Sequence, residues 1–413
     1  MSAQLAIDGG KPVREDPFPS RAAGVGDEEM AQLADVIKAG QMNRVGGQKT
    51  KLLEEGFAKL IGMKHAVAVT SGTAALHTAL GAINPDPGDE VITTPVTDIG
   101  TVIGILFQNC IPIFADTDPK YGYNLDPESV RKNITDRTRA IIVVHLWGAA
   151  ADMDEFLAIG KEHGIPVIED CAQAYLTEYK GKLAGTMGDV GCFSLQSSKH
   201  MTCGDGGLVV SNNDDLIRRA RLFCDKGWDR SAETYRAYPF LGINYRITEL
   251  QSAVGVAQLG KVEWVVARRR ELGDMLSGKL SGIPGLLPPP DSATSGNVYW
   301  LYAIRVREEE FGMSRKRFIE ALNAEGIPGF ALFDDKPLHL REMLLEQRTF
   351  GKSHHPFDCA CASRRVKYAP GLCPNAEQSV KELVTVGLHE FCSEREVEDT
   401  AAAIQKIAAA AKA

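Results

Sequence analysis

Lys199 is the residue around which chemistry can be built. It sits in FSLQSSKHMTCGDGG (193–207), a few residues after an apolar run and before a glycine-rich return into another. A partly desolvated lysine at a sheet edge, beside a cationic ring, has its pKa lowered toward use as a nucleophile and base. Ser194, five residues earlier, can reach a phosphate, and Gly204, Gly206 and Gly207 permit a tight turn. A solvated loop lysine is the plainer reading of the same residue, and GDGG alone specifies nothing.

Two further stretches supply partners. In VIEDCAQA (167–174), Asp170 ends an apolar run, where ligands of open α/β sheets bind. A carboxylate buried there must be paired. A protonated pyridine nitrogen would serve, and so would an arginine or the next helix N-terminus. Glu169 should face the opposite side of the strand. In VTSGTAAL (69–76), a strand turns through Ser71, Gly72 and Thr73 into a helix. Helix N-terminal N–H groups and hydroxyls favour an anion, while simple capping by Ser71 is the alternative. A phosphate cup, a pyridinium partner and an amine, in that order along one sheet, together suit pyridoxal 5'-phosphate.

The elements that must position these residues follow from hydrophobic patterning. Short apolar runs occur at 65–70, 90–94, 111–116, 140–145, 165–170, 190–195 and 207–211, mostly continuous, as in strands covered on both faces. Helical patterns at 72–83 and 152–163 lie between them. The alternation predicts an α/β fold with a mostly parallel sheet of about seven strands. Before it, 27–39 reads as a helix with Asp27 as N-cap, Met30, Leu33 and Ile37 on one face and Gly40 as stop, and 41–48 as a loop. After residue 247 comes a long helical pattern (248–281), a Pro/Gly-rich break (283–296), a strand (298–306), a helix (316–325) and a final helix (394–411) with Val397, Ala401, Ile404 and Ala408 on one face. The chain therefore divides into an N-terminal arm with a large α/β domain (1–247) and a linking helix with a smaller C-terminal α+β domain (248–413).

The 413 residues are 44% apolar and 24% charged, with net charge −8, so nothing general attracts nucleic acid or anionic membranes. No apolar run spans a bilayer and no secretory signal is visible. The nine scattered cysteines, several in apolar runs (Cys110, Cys192), point to free, mostly buried thiols in a reducing cytoplasm. His354, His355, Cys359 and Cys361 match no common zinc spacing and read as a surface loop, so no metal is expected.

The pieces TSGTAAL, GDEVITTP, ADTDP, VVHLWG, ADMD, VIEDCAQA, GDVGCFSLQSSKHMTCGDGG and NYRITELQSAVGVAQL carry a resemblance over roughly residues 5 to 400. The chain resembles the DegT/DnrJ/EryC1/StrS family of sugar and cyclitol aminotransferases, of the pyridoxal-phosphate fold type I class. The resemblance implies that Lys199 joins the cofactor aldehyde and that Asp170 partners the ring nitrogen. It places Gln173 on the ring hydroxyl side, with Ser71, Gly72, Thr73 and Ser194 at the phosphate. Asn244, in NYRITELQ, would reach the cofactor of a neighbouring subunit, implying a homodimer with shared sites. The implied partners are a small-molecule amino donor, glutamate or glutamine, and a keto-sugar or keto-cyclitol acceptor.

The chain departs from the family where an aromatic residue usually stacks on the ring, in P-x-x-T-(aromatic)-x-A-T. The stretch here runs Pro95 to Thr101, one residue shorter, and the aromatic position falls on Asp98 or Ile99. Asp98 could instead bind a substrate hydroxyl or ammonium, and Trp147 could supply a surface. Tyr175 stands where a His or aromatic is usual. Candidate substrate contacts are Asp98, His145, Tyr175, Lys226 and His339, with His145 the one most expected to face the site. The start LAIDGGKPVRE and the lack of a basic cluster lean toward a small polyol over a nucleotide sugar. A sugar dehydratase of the same group would carry His at position 199. A non-catalytic sensor would need a DNA-binding segment, and a nicotinamide enzyme a G-x-G-x-x-G, and neither is visible.

Overall fold

The computed structural model describes residues 4–412. Its main sheet has seven strands: β1 (His65–Val69), β2 (Glu90–Thr93), β3 (Ile111–Phe114), β4 (Thr138–Val144), β5 (Val167–Asp170), β6 (Val190–Ser194) and β7 (Gly207–Ser211). Their spatial order is β1-β7-β6-β5-β4-β2-β3. Only β7 runs antiparallel, pairing β1 on one side and β6 on the other. All seven coincide with the apolar runs of the sequence, because a strand covered on both faces has no polar side to interrupt it.

The faces are covered by α1 (Asp27–Ala39), α2 (Lys49–Ile61), α3 (Gly72–Ile83), α4 (Gly100–Phe107), α5 (Met153–His163) and α6 (Asp214–Phe223). Val67, Val69, Ile142, Ile168 and Val190 pack with Ala75, Leu76 and Ala79 of α3 and Ile217 and Ala220 of α6. On the other face Ile141, Val143 and Val167 meet Phe156 and Ile159 of α5, while Ala66, Ala68 and Phe193 meet Leu53 and Phe57 of α2. Along β5 the strand period of two therefore sends Ile168 and Asp170 toward α3 and α4, and Val167 and Glu169 toward α5.

The long pattern after 247 breaks at Gly260–Lys261 into α7 (Glu249–Leu259) and α8 (Val262–Leu280). A four-stranded antiparallel sheet follows, built from Leu286–Leu287, Tyr302–Val306, Leu383–Val386 and Gly329–Phe330 in that spatial order. The C-terminal helix, Glu394–Ala411, buries Val397, Ala401, Ile404 and Ala408 against it together with Leu272, Leu276 and Leu280 of α8.

Three expectations need correction. The N-cap of α1 is Gly26 and not Asp27, and the helix buries Glu29 and Val36. Met30 and Ile37 are instead 64% and 63% exposed. Glu29 is tied to Lys261 and to Gln258 Nε2, which decides the helix rotation in favour of its polar face. Finally, the cysteines are not all free: Cys359 and Cys361 are joined in a disulfide, while the other seven are free and buried. His354 and His355 turn to the Gln347 carbonyl and to Asn109, away from a shared centre.

His145 and Glu169 form the polar anchor of the α5 face. Glu169 takes Nε2–H of His145 (3.0 Å) and the N–H groups of Gly185, Met187 and Gly188 (2.8, 2.8 and 2.6 Å). Ala151 N–H donates to His145 Nδ1 (3.1 Å), which assigns the proton to Nε2. Burial pushes the Glu169 carboxyl up, but these donors outweigh it and hold the pKa below the usual range. Glu169→Ala strands a buried imidazole and three amides, and should cost about 3–5 kcal/mol in urea unfolding.

Candidate active site

β5 delivers Asp170 to the carboxyl end of the sheet, buried. Its Oδ2 accepts from Thr101 Oγ1 (2.9 Å), in the first turn of α4, and its Oδ1 from Ala172 N–H (3.1 Å). Thr101 Oγ1 also meets Thr97 Oγ1 at 2.8 Å. Burial raises the Asp170 pKa, the Asp98 carboxylate adds to the rise, and these hydrogen bonds with Lys199 oppose it. A buried carboxylate with only two such donors at its oxygens is short of a full cation.

Lys199 lies within the loop (195–206) that joins β6 to β7, and β7 is wedged between β1 and β6. Gly207 pairs Val69 on one side and Ser194 on the other. A Cβ on Gly207 would collide with the Ser71 carbonyl, so glycine is what lets the phosphate cup and the lysine loop share one corner. The loop is then clamped from outside. Arg21, in the N-terminal arm, donates to the carbonyls of Ser198 (2.8 Å) and Lys199 (3.1 Å), and Trp300 Nε1 donates to Ser198 (2.9 Å). Arg21 and Arg269 both pair with Glu390. The Lys199 ammonium lies 3.6 Å from the centroid of the Trp300 ring. Burial lowers its pKa to about 8 against the opposing pull of Asp170 and Asp98.

The cup is compact. Ser71 caps α3, its Oγ accepting from Ala74 N–H (3.0 Å). A Cβ on Gly72 would lie 2.7 Å from Ser194 Cβ, so Gly72 and Ser194 are side by side. Thr73 Oγ1 would lie 2.5 Å from a Cβ on Gly100, which ties α3 to α4. The first N–H groups of α3 have no intrahelical partner, and with the hydroxyls of Thr73 and Ser194 they could hold a phosphate. The donor set thus fits pyridoxal phosphate at each of its ends: an anion cup, a buried carboxylate for a ring N–H, and an amine of lowered pKa.

The structure thus gathers Ser71, Gly72, Thr73, Asp98, Asp170, Ser194 and Lys199. Gln173 spends its Oε1 on Trp147 N–H (2.8 Å). That bond holds a left-handed Trp147 (φ 63°), whose ring stacks on Trp300 at 5.9 Å. Four expected substrate contacts stand outside this group within the chain. His145 is turned to Glu169 on the α5 face, the reverse of the expected orientation. Tyr175 is buried among Phe57 and Phe193 and gives its hydroxyl to the Ser194 carbonyl (2.8 Å). His339 is buried against Glu377 (3.0 Å). Lys226 is exposed, beside Trp228. Asn244 is also exposed, in an isolated bridge with Asp225. Sequence reasoning missed Arg21, Thr101 and Trp300; only Thr101 carried a signal, standing where the family pattern has its last threonine.

Comparison with known proteins agrees with this geometry. The model of the DegT/DnrJ/EryC1/StrS aminotransferase family matches residues 24–405. A putative L-glutamine:3-amino-2,3-dideoxy-scyllo-inosose aminotransferase of Streptoalloteichus tenebrarius is 36% identical over 82% of this chain and 82% of its own. GDP-perosamine synthase of Caulobacter vibrioides is 37% identical over 70% of this chain and 76% of its own. The crystal structure of 3-amino-5-hydroxybenzoic acid synthase superposes with a TM-score of 0.81 at 29% identity, covering 97% of this chain and all (100%) of that one.

The lowered pKa of Lys199 has a direct consequence. The folded chain holds this amine less protonated than the unfolded chain does. Its burial cost is present in full below pH about 8 and is relieved as pH rises from there toward 10.5. In the cofactor-free protein, acylation of Lys199 followed by peptide mass spectrometry should reach half its limiting rate near pH 8, while ordinary surface lysines do so near 10.5.

Proposed function

Because this chain belongs to the DegT/DnrJ/EryC1/StrS aminotransferase family and is a pyridoxal-phosphate-dependent aminotransferase, we propose that it carries the amino group of glutamine or glutamate to a keto-cyclitol. The carrying observation is the pair of Lys199 and Asp170 at the carboxyl ends of the sheet, an amine of lowered pKa with a buried carboxylate between the strands. A small polyol is favoured over a nucleotide sugar because the guanidinium groups nearest the lysine loop, Arg21 and Arg269, are both engaged by Glu390. The acceptor named for the Streptoalloteichus relative is likewise a cyclitol ketone.

When bound, pyridoxal phosphate supplies an aldehyde that takes up the amino group and a ring that absorbs the electron pair left when a Cα proton departs. Gly72, Thr73 and Ser194 would bind the phosphate. Asp170, steadied by Thr101 and Ala172, would hold the proton on the ring nitrogen. With the cofactor bound, the Nζ of Lys199 would act as the base that takes the donor Cα proton and the acid that gives it back, and would serve the acceptor in the same two roles. The Arg21 and Trp300 clamp holds the Ser198 and Lys199 carbonyls and so restrains where that nitrogen can reach.

The assembly we favour is a homodimer in which Asn244 of the partner subunit completes each phosphate site. Exposed apolar residues support it: Leu241 is 90% exposed beside Asn244, and Met30 and Ile37 are uncovered on α1.

Glutamine or glutamate should bleach the visible absorbance of the pyridoxal-phosphate-loaded protein, and a keto-cyclitol should restore it. Lys199→Ala should slow the first change by roughly 100-fold or more. A loaded protein whose spectrum ignores both donors would remove the proposal. Shared sites predict complementation. Co-expressed Lys199→Ala and Asn244→Ala chains, each inactive alone, should regain roughly a quarter of wild-type activity through mixed dimers.

A further inference from the structure

Asp98 is an exposed carboxylate between buried neighbours, Thr97 and Gly100, at the start of α4. That helix start is a junction for the whole site. Gly100 N–H donates to Asp98 Oδ1 (2.8 Å), and the Cα of Gly100 abuts Thr73 of the phosphate cup. One residue on, Thr101 holds Asp170. Asp98 is therefore carried on the rim between the cup and the pyridinium carboxylate. Its charge is felt at both Asp170 and Lys199. Its other oxygen, Oδ2, receives no hydrogen bond among the described residues.

Resting on the aminotransferase reading above, we propose that Asp98 determines acceptor specificity by taking, at Oδ2, a hydrogen bond from a hydroxyl or ammonium group next to the acceptor's ketone. The chemistry points to the acceptor over the donor. Glutamine and glutamate bring an α-carboxylate next to the reacting carbon, and a second carboxylate repels it. A polyol or amino-polyol brings only hydrogen-bond donors there, and one matched donor beside a carboxylate gives a charge-assisted bond. Once a bound acceptor covers this exposed carboxylate, a ketone lacking that group leaves its oxygen without the matched donor, and the site discriminates against it.

The test separates the two half-reactions. Asp98→Asn and Asp98→Ser each keep an oxygen for the Gly100 N–H, so the start of α4 is preserved. Single-turnover kinetics would be measured on loaded protein with glutamine, then on the amino-charged protein with a keto-inositol, its deoxy counterpart lacking the hydroxyl next to the ketone, and the matching amino-deoxy compound. The acceptor half-reaction with the keto-inositol should fall in both variants by roughly tenfold or more beyond any change in the donor half-reaction, mostly through KM. With the deoxy acceptor, wild type and variants should converge. A larger loss with the amino-deoxy compound identifies ammonium as the natural group, and a larger loss with the hydroxyl compound identifies hydroxyl. Equal losses in both half-reactions, or an undiminished loss with the deoxy acceptor, would reduce Asp98 to a helix cap and overturn the proposal. Wild-type protein that ignores glutamine and glutamate would instead remove the aminotransferase assignment before Asp98 is in question.

Discussion

The carboxylate of Asp170 is the constraint from which the site is built. A buried negative charge with two hydrogen bonds is an unfinished structure, and it is finished only by a cation. The sheet brings Lys199 near it without giving it an ion pair, and α4 gives it a hydroxyl without neutralising it. Both choices leave the acid with hydrogen bonds and no ion pair, a setting that would suit a protonated ring nitrogen. The same burial that raises the acid lowers the amine, so one desolvated corner prepares both partners of the chemistry.

Around that corner the protein spends polar interactions on rigidity. The carbonyls of the lysine loop are held from two distant parts of the chain, Arg21 in the N-terminal arm and Trp300 just before the Tyr302–Val306 strand of the small sheet. Trp147 is kept in a left-handed backbone conformation by Gln173 and presses on Trp300. A non-glycine residue in that region costs of order 1–3 kcal/mol, which the surrounding packing must supply. On the opposite face, His145 and Glu169 form a closed network in which each oxygen and nitrogen is used.

Much of this was legible in the sequence, for reasons that differ by element. Seven apolar runs announced seven strands because both faces are covered. That Ser71 to Thr73, Asp170 and Lys199 come together is legible because strand ends and the loops that follow them gather at one edge of an α/β sheet. Helix α2 was not, because its inward face carries Glu54, which reads as a surface residue until Arg44, Arg221 and the Ala68 N–H are seen to satisfy it. The rotation of α1 was misread for the same reason: Glu29 is buried because Lys261, far along the chain, comes to meet it. His145 illustrates the limit of strand-end reasoning. Position along a strand says that a residue is near the site, whereas the parity of the pleat and the partner behind it decide which way it looks. Arg21 and Trp300 act through backbone carbonyls, which leave no trace in side-chain types.

The antiparallel strand β7, lodged between β1 and β6, makes the lysine captive. The segment that carries it leaves the sheet along one ladder and re-enters along the neighbouring one, so both of its ends are stitched into the same sheet that holds the cup and the acid. Slipping β7 by even one residue would reverse its pleat against two strands at once. The ends of the lysine loop are therefore fixed by ladder register, and the Arg21 and Trp300 clamp fixes its middle. Variation in the surrounding loops can reshape what the enzyme accepts while leaving that span untouched.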